Sequence, residues 1–231
     1  MKLFFQKQFV FSLSMPPQKK ALLKTSQRRK SPILIDKDPT QRGRKAPSNK
    51  LQKVKKILQG SYSEDAQLPT GVTRDNSLSG KRVSVYNDST TGKTYVAHRG
   101  THSLKDWVTD FAMALGYEGG RRFQHSRNIQ KQAEAKYGSK NVITVGHSLG
   151  GRIAEKMGKK SSEIITYNKA TTPRSIIETL IKPLPKKQTD IRTRSDLVSI
   201  GTKLQRRAKD IIKLNKPHLN PITEHSLDAI K

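Results

Sequence analysis

A chain of 231 residues is long enough for one ordinary domain with additional segments. Its 46 lysines and arginines against 18 acids leave a net charge of +28, which favours polyanionic partners such as nucleic acid, anionic lipid or acidic protein. There is no cysteine, so disulfides and thiolate metal sites are excluded, and no apolar run approaches the roughly 18 residues of a transmembrane helix. The lack of cysteine leads us to expect an intracellular or virion-associated setting rather than a secreted one.

The first stretch, MKLFFQKQFVFSLSM, is apolar in part, but Gln6, Lys7 and Gln8 interrupt it and no small-residue cleavage site follows. It is read as not being a secretory leader, with Met15 an alternative start. Residues 1–60 carry sixteen lysines and arginines against Asp36 and Asp38, half the net charge in about a quarter of the length. Their prolines and lack of periodicity predict a basic, largely disordered arm over 1–70, ahead of an α/β domain over 71–231. Within the arm, Leu51, Val54, Ile57 and Leu58 recur at helical spacing, so LQKVKKILQG can form one short amphipathic helix.

From Gly71 onward the pattern changes. Arg82–Tyr86 and Thr94–His98 read as strands, and the turn-forming NDSTTGK between them predicts a hairpin. Leu104–Leu115 reads as a helix with Trp107 and Phe111 on its apolar face, and Phe123–Tyr137 as another, ended by Gly138. Asn141–Val145, Ser162–Tyr167 and Asp190–Arg194 read as strands, with helices over Gly151–Lys159 and Pro173–Leu180. Strands alternating with helices indicate an α/β sheet.

The sharpest motif is Gly146-His147-Ser148-Leu149-Gly150, between a predicted strand and a predicted helix. A serine on such a turn occupies strained backbone, and the small residues two positions either side make room for it. The helix that starts at once turns its free N–H groups towards developing negative charge, with the Leu149 N–H as one oxyanion donor. The alternative is a plain glycine-rich strand-to-helix turn. A serine nucleophile needs a base, and the base needs an orienting acid, in the chain order Ser, Asp or Glu, His. Two histidines follow Ser148, His218 between prolines and His225 ahead of SLDAI, and His225 is favoured. Among the acids, Asp196 follows a strand and lies where an orienting carboxylate belongs; Asp190 starts that strand, and Asp210 reads as a surface charge.

Three segments together, VGHSLGG, VAHRGTHSLKDWVTDF and the spaced SDLVS and EHSLDAI, resemble the class 3 lipases, the fungal-type triacylglycerol lipases of the α/β-hydrolase superfamily, over roughly residues 80–231. The resemblance implies a mostly parallel sheet with helices on both faces. It implies Ser148 as nucleophile, Asp196 as acid and His225 as base, with Thr101 in Arg99-Gly100-Thr101 as the second oxyanion contact. His98 and His102 flank that loop but precede Ser148, so neither fits the base. Leu104–Leu115 would correspond to the lid, with Trp107 and Phe111 facing an acyl chain. Arg152 stands where the family commonly has a small residue. The implied activity is hydrolysis of a lipid ester, an acylglycerol or a phospholipid, with no metal and no organic cofactor. The basic arm, residues 1–60, lies outside the family pattern and suits an anionic membrane or nucleic acid, as a virion-associated enzyme would require. The rival reading is a catalytically silent basic binding protein on a hydrolase scaffold. Oligomeric state is not legible in the chain.

Overall fold

The computed structural model describes residues 48–101, 120–209, 211–214 and 225–227. The expected lid helix with Trp107 and Phe111, together with His102, Asp210 and His218, lies outside them. A seven-stranded sheet in strict sequence order, β1 to β7, forms the centre. β1 (Val72–Arg74), β2 (Val83–Asp88) and β3 (Lys93–His98) pair antiparallel. From β3 onward the sheet is parallel, through β4 (Val142–His147), β5 (Glu163–Tyr167), β6 (Gln188–Thr193) and β7 (Ile212–Leu214). The short strands β1 and β7 extend the edges beyond the expected set.

Each parallel step needs a crossover, and helices supply those between β3 and β6. α2 (Arg121–Tyr137) returns the chain to β4, α3 (Leu149–Met157) to β5 and α4 (Pro173–Ile181) to β6. α2 buries Phe123, Ser126, Gln130 and Ala133, one stripe at helical spacing, and stops where Gly138 adopts a left-handed φ of 80°. α4 starts with a capping box: Thr172 accepts from the Ser175 N–H and Ser175 from the Thr172 N–H, with Pro173 filling the first turn. The β2–β3 hairpin turns on Asp88, whose carboxylate accepts from Thr90 N and Oγ1 and from Thr91 Oγ1.

Alternation along the strands divides the core into two faces. Tyr86, Tyr95, Ala97, Ile143, Val145, Ile165, Tyr167 and Ile191 point to one face, Val83, Val85, Val96 and Val142 to the other. α2 covers the second face with Ile129, Ala133 and Tyr137. The first face is covered by α1 (Ser48–Gly60), whose Leu51, Val54, Ile57 and Leu58 join its core cluster. The packed unit therefore begins ahead of Gly71, because an amphipathic stripe of four apolar residues cannot be left in water beside an uncovered sheet face. Lys53 fastens the helix to the hairpin through Asp88 at 2.8 Å, and Lys50 reaches Glu163 at 2.7 Å.

Ile57 is fully buried. Ile57→Ala should lower stability by roughly 2–5 kcal/mol through lost burial and a residual cavity. Lys56→Ala, on the outer side, should change it by less than about 0.5 kcal/mol. Urea unfolding midpoints of the two variants measure the difference.

Candidate active site

The parallel register fixes which loops meet. His98 at the end of β3 lies opposite Gly146 of β4, and His147 opposite Tyr167 of β5. The loops leaving the carboxyl ends of β3 and β4 therefore emerge side by side, on the edge where open α/β sheets place their ligands. The first loop is Arg99-Gly100-Thr101 and the second begins at Ser148.

Ser148 has φ 56° and ψ −126°, a conformation that costs a non-glycine residue roughly 1–3 kcal/mol. Its surroundings hold it there. Its N–H donates to the Tyr167 carbonyl at 3.0 Å, and its carbonyl accepts from Gly151 at 2.9 Å and from Ala170 at 3.0 Å. A Cβ on Gly146 would overlap the Gly150 carbonyl, and one on Gly150 would overlap the backbone of His98. Glycine is thus required at both flanks by the close approach of three backbone segments. α3 begins at Leu149, directly after the bend, so its unsatisfied N–H groups gather beside Ser148.

The β3 loop abuts the same point. A Cβ on Gly100 would lie 2.9 Å from the Cβ of Ser148. The Gly100 N–H donates to the Tyr62 hydroxyl at 2.7 Å, and Arg122 of α2 donates to the Gly100 carbonyl at 3.0 Å and to that of Arg99. Thr101 follows, half-buried.

The third contribution comes from beyond β6. Asp196 lies on the loop after that strand, and its carboxylate accepts from Ser199 N–H at 2.9 Å and from His225 Nδ1–H at 2.9 Å. Burial alone would raise this carboxyl. The hydrogen bond and charge of His225 and the Ser199 donors outweigh it and hold Asp196 below its ordinary value. With Nδ1 donating, Nε2 is the basic nitrogen of neutral His225. The backbone of His225 is tied to the turn: its carbonyl accepts from His147 Nε2–H at 2.8 Å and from Asn168 Nδ2–H at 3.4 Å. The two imidazoles lie 4.9 Å apart between ring centroids.

His147 carries that tie further. Its Nδ1 accepts from the Tyr62 hydroxyl at 2.8 Å, which itself accepts from Gly100 N–H. A chain of hydrogen bonds thus runs from the β3 loop through Tyr62 and His147 to His225. Burial, reinforced by the nearby His225, pushes His147 down to about 3, so its imidazole is neutral, as this donor–acceptor pattern requires. Burial likewise raises the Tyr62 phenol to about 12.

The structure brings Gly100, His147, Ser148, Leu149, Asp196 and His225 to one end of the sheet. It keeps Asp190 away: that side chain is buried on the α3 side of β6, bonded to Thr166, Gln188, Lys169 and Arg207. Tyr62 and Asn168 escaped the sequence reading. Tyr62 lies within the stretch assigned to the arm, and no motif marks it. Asn168 carried one faint signal, an asparagine directly after a strand, and adopts φ 42°, which asparagine tolerates better than most residues. Among the described residues, no group of three or more His, Cys, Asp or Glu side chains could hold a metal ion.

A mostly parallel sheet with a strained serine between strand and helix, beside a hydrogen-bonded Asp–His pair, defines an α/β-hydrolase of the lipase type. The chain belongs to the phospholipase-like family: the profile of the Tle-like phospholipase domain matches residues 54–204. It is a lipase-like carboxylic ester hydrolase. No curated protein matches it. Among solved structures, a Rhizomucor miehei lipase with its propeptide superposes with a TM-score of 0.50 at 15% identity, over 88% of this chain and 82% of that one. The Lip2 lipase of Yarrowia lipolytica gives 0.45 at 17%, over 65% and 74%, and a Penicillium expansum triacylglycerol lipase 0.47 at 15%, over 74% and 81%.

Two buried histidines give the site a pH signature. Burial also lowers His98, to about 4, against the opposing hydrogen bond of Gln130. Each ring is neutral when folded and takes up a proton only on unfolding, between the ordinary value of 6.5 and its folded value. Unfolding then binds protons, so stability falls as pH falls through this window, by up to roughly 1.4 kcal/mol per pH unit for each ring. Urea unfolding at pH 7 and pH 5 should show this loss, and His98→Gln should roughly halve the slope.

Proposed function

We propose that Ser148 is the nucleophile, His225 the general base and Asp196 the orienting acid in hydrolysis of lipid esters, with phospholipids the first substrate class to test. One observation supports this above the others. His147, the residue before Ser148, hydrogen-bonds the carbonyl of His225, whose ring is bonded to Asp196. Three positions far apart in sequence are thereby joined.

His225 Nε2 takes the proton of Ser148 as the hydroxyl oxygen attacks the acyl carbonyl carbon. The negative charge passes to the carbonyl oxygen, held by the N–H groups of Leu149 and Thr101. Arg122 aids the second donor: it holds the Gly100 carbonyl, and in a trans peptide the next N–H points the opposite way. Protonated His225 then gives its proton to the departing alcohol. Water, activated by the same ring, releases the fatty acid and restores Ser148. Asp196 keeps Nδ1 protonated and stabilises the imidazolium. Trp107 and Phe111 are assigned to the acyl chain. Basic residues ahead of α1 are assigned to an anionic partner, membrane or nucleic acid.

Wild type should hydrolyse phosphatidylglycerol vesicles and short p-nitrophenyl esters, and a fluorophosphonate should label Ser148. Ser148→Ala should lose at least about 10³-fold in turnover and all label, and Asp196→Asn about 10⁴-fold in kcat with an unchanged fold. Turnover undiminished in Ser148→Ala ends the proposal; wild type with neither turnover nor label supports the silent binding protein. For the arm, removal of residues 1–47 leaves α1 whole. It should abolish the salt-sensitive part of binding to DNA or anionic vesicles, measured as the slope of affinity against salt.

A further inference from the structure

Every large hydrophobic side chain found exposed among the described residues falls in one stretch: Ile177, Leu180, Ile181, Leu197, Ile200 and Leu204. The first three stand at i, i+3 and i+4 on α4, so they share one helix face. The others lie on the segment from Asp196 into the 3-10 helix Ile200–Leu204. The two elements are joined edge to edge. Arg206 N–H donates to Thr179 Oγ1 at 3.0 Å, Arg206 Nη1 to the Leu180 carbonyl at 3.4 Å, and Gln205 Nε2 to the Ser175 carbonyl at 3.3 Å. The exposed apolar residues therefore lie on two elements that are direct neighbours.

The charges around these residues have one sign. Arg174, Lys182, Arg194, Lys203 and Arg206 are exposed. Of the three acids of residues 173–209, Asp190 and Asp196 are buried, and the half-buried Glu178 is neutralised by ion pairs with Arg152, Lys156 and Arg174.

We propose that this face, α4 with the Leu197–Leu204 segment, seats the enzyme on an anionic phospholipid bilayer. Aliphatic tips ringed by long basic side chains match an interface in which chains enter the acyl boundary and cations meet phosphates. A protein partner fits less well. The patch contains none of the aromatic side chains that anchor protein interfaces, and no exposed acid to set orientation. A second copy fits less well again, because a two-fold contact would press two cationic rims together. The face also has a consequence for the site. Leu197 is 63% exposed and directly follows Asp196, which is 1% exposed. A bilayer meeting Leu197 would therefore lie next to the residue bonded to His225. The purpose of docking there rests on the lipid-ester reading above; the binding itself is measured without turnover.

Full-length Ser148→Ala protein and the same protein carrying Ile177→Gln, Ile181→Gln and Leu204→Gln are sedimented with vesicles of mixed phosphatidylcholine and phosphatidylglycerol. Salt of about 0.5 M screens purely electrostatic attraction by the rest of this basic chain. The triple substitution should reduce partitioning at least about tenfold, with unchanged circular dichroism and unfolding midpoint. With Ser148 restored, it should lower hydrolysis of vesicle phospholipid and leave hydrolysis of a soluble short-chain ester unaltered. Equal partitioning of the two proteins overturns the proposal. So does a wild-type dimer in sedimentation equilibrium that the triple variant dissolves while vesicle binding stays the same. A wild type without esterase activity overturns the proposed chemistry and leaves the docking result to be read separately.

Discussion

The backbone at Ser148 is held in a conformation its side chain opposes, and the candidate site is arranged around that bend. At φ 56° the residue costs roughly 1–3 kcal/mol, which the fold offsets locally. β5 supplies the Tyr167 carbonyl and the loop after it supplies the Ala170 N–H, so the bend is clamped from the neighbouring strand. The two flanking glycines let β4, α3 and the end of β3 approach to distances that a methyl group would block. Strain of this kind persists only where the surroundings over-determine it, and here three elements do so.

A second constraint lies beneath α3. Arg152, Glu155, Lys169 and Asp190 form a buried chain of alternating charge, extended at its edges by the half-buried Arg207 and Glu178. Burial alone would raise Glu155 and Asp190, but the facing cations outweigh it and hold both below their ordinary values. Replacing such a network by apolar side chains would in general cost little stability, whereas removing one member strands a charge. Its value here is positional. Lys169 follows the clamp at Tyr167 and Asn168, and it joins α3 through Glu155 to β6 through Asp190. The network thus fixes the helix that starts at Leu149 relative to the strand that leads to Asp196. This also accounts for the large Arg152 after the glycines, since its guanidinium reaches Glu155 and Glu178 rather than solvent.

How far the sequence foretold this depends on whether the cause was local. The strands around the elbow and the end of α2 at Gly138 follow from periodicity and glycine placement within a few residues, so they were legible. α1 was legible as an amphipathic stripe, but not as part of the packed unit. The sheet face it covers is built from residues 72–191, which no window around Leu51 contains. Tyr62 was invisible for the same reason: its hydroxyl matters because Gly100 and His147 lie 38 and 85 residues away and happen to meet it. β1 and β7, three residues each, are too short to show a period and form by adding to an existing sheet edge. Asp196 lies beyond the carboxyl end of β6, as strand direction foretold, whereas Asp190 is the third residue of that strand rather than its start, and what removes it from the site is its burial among Thr166, Gln188, Lys169 and Arg207.

The loop after β6 joins the site to the outer surface. Asp196 turns inward, where its carboxylate accepts the Val198 and Ser199 N–H groups as well as His225, so the carboxylate organises its own loop. Arg192 reinforces this by donating to the Asp196 carbonyl at 3.0 Å. With the backbone fixed in this way, Leu197 has no inward route and projects into solvent, while Val198 and Ser199 return to the interior. An exposed leucine on a floppy loop could fold back against the protein. One on a loop pinned by a buried carboxylate cannot do so without breaking the Asp196–His225 contact. The exposure of Leu197 and the orientation of the imidazole are therefore maintained by the same few hydrogen bonds, and a perturbation of either is felt by the other.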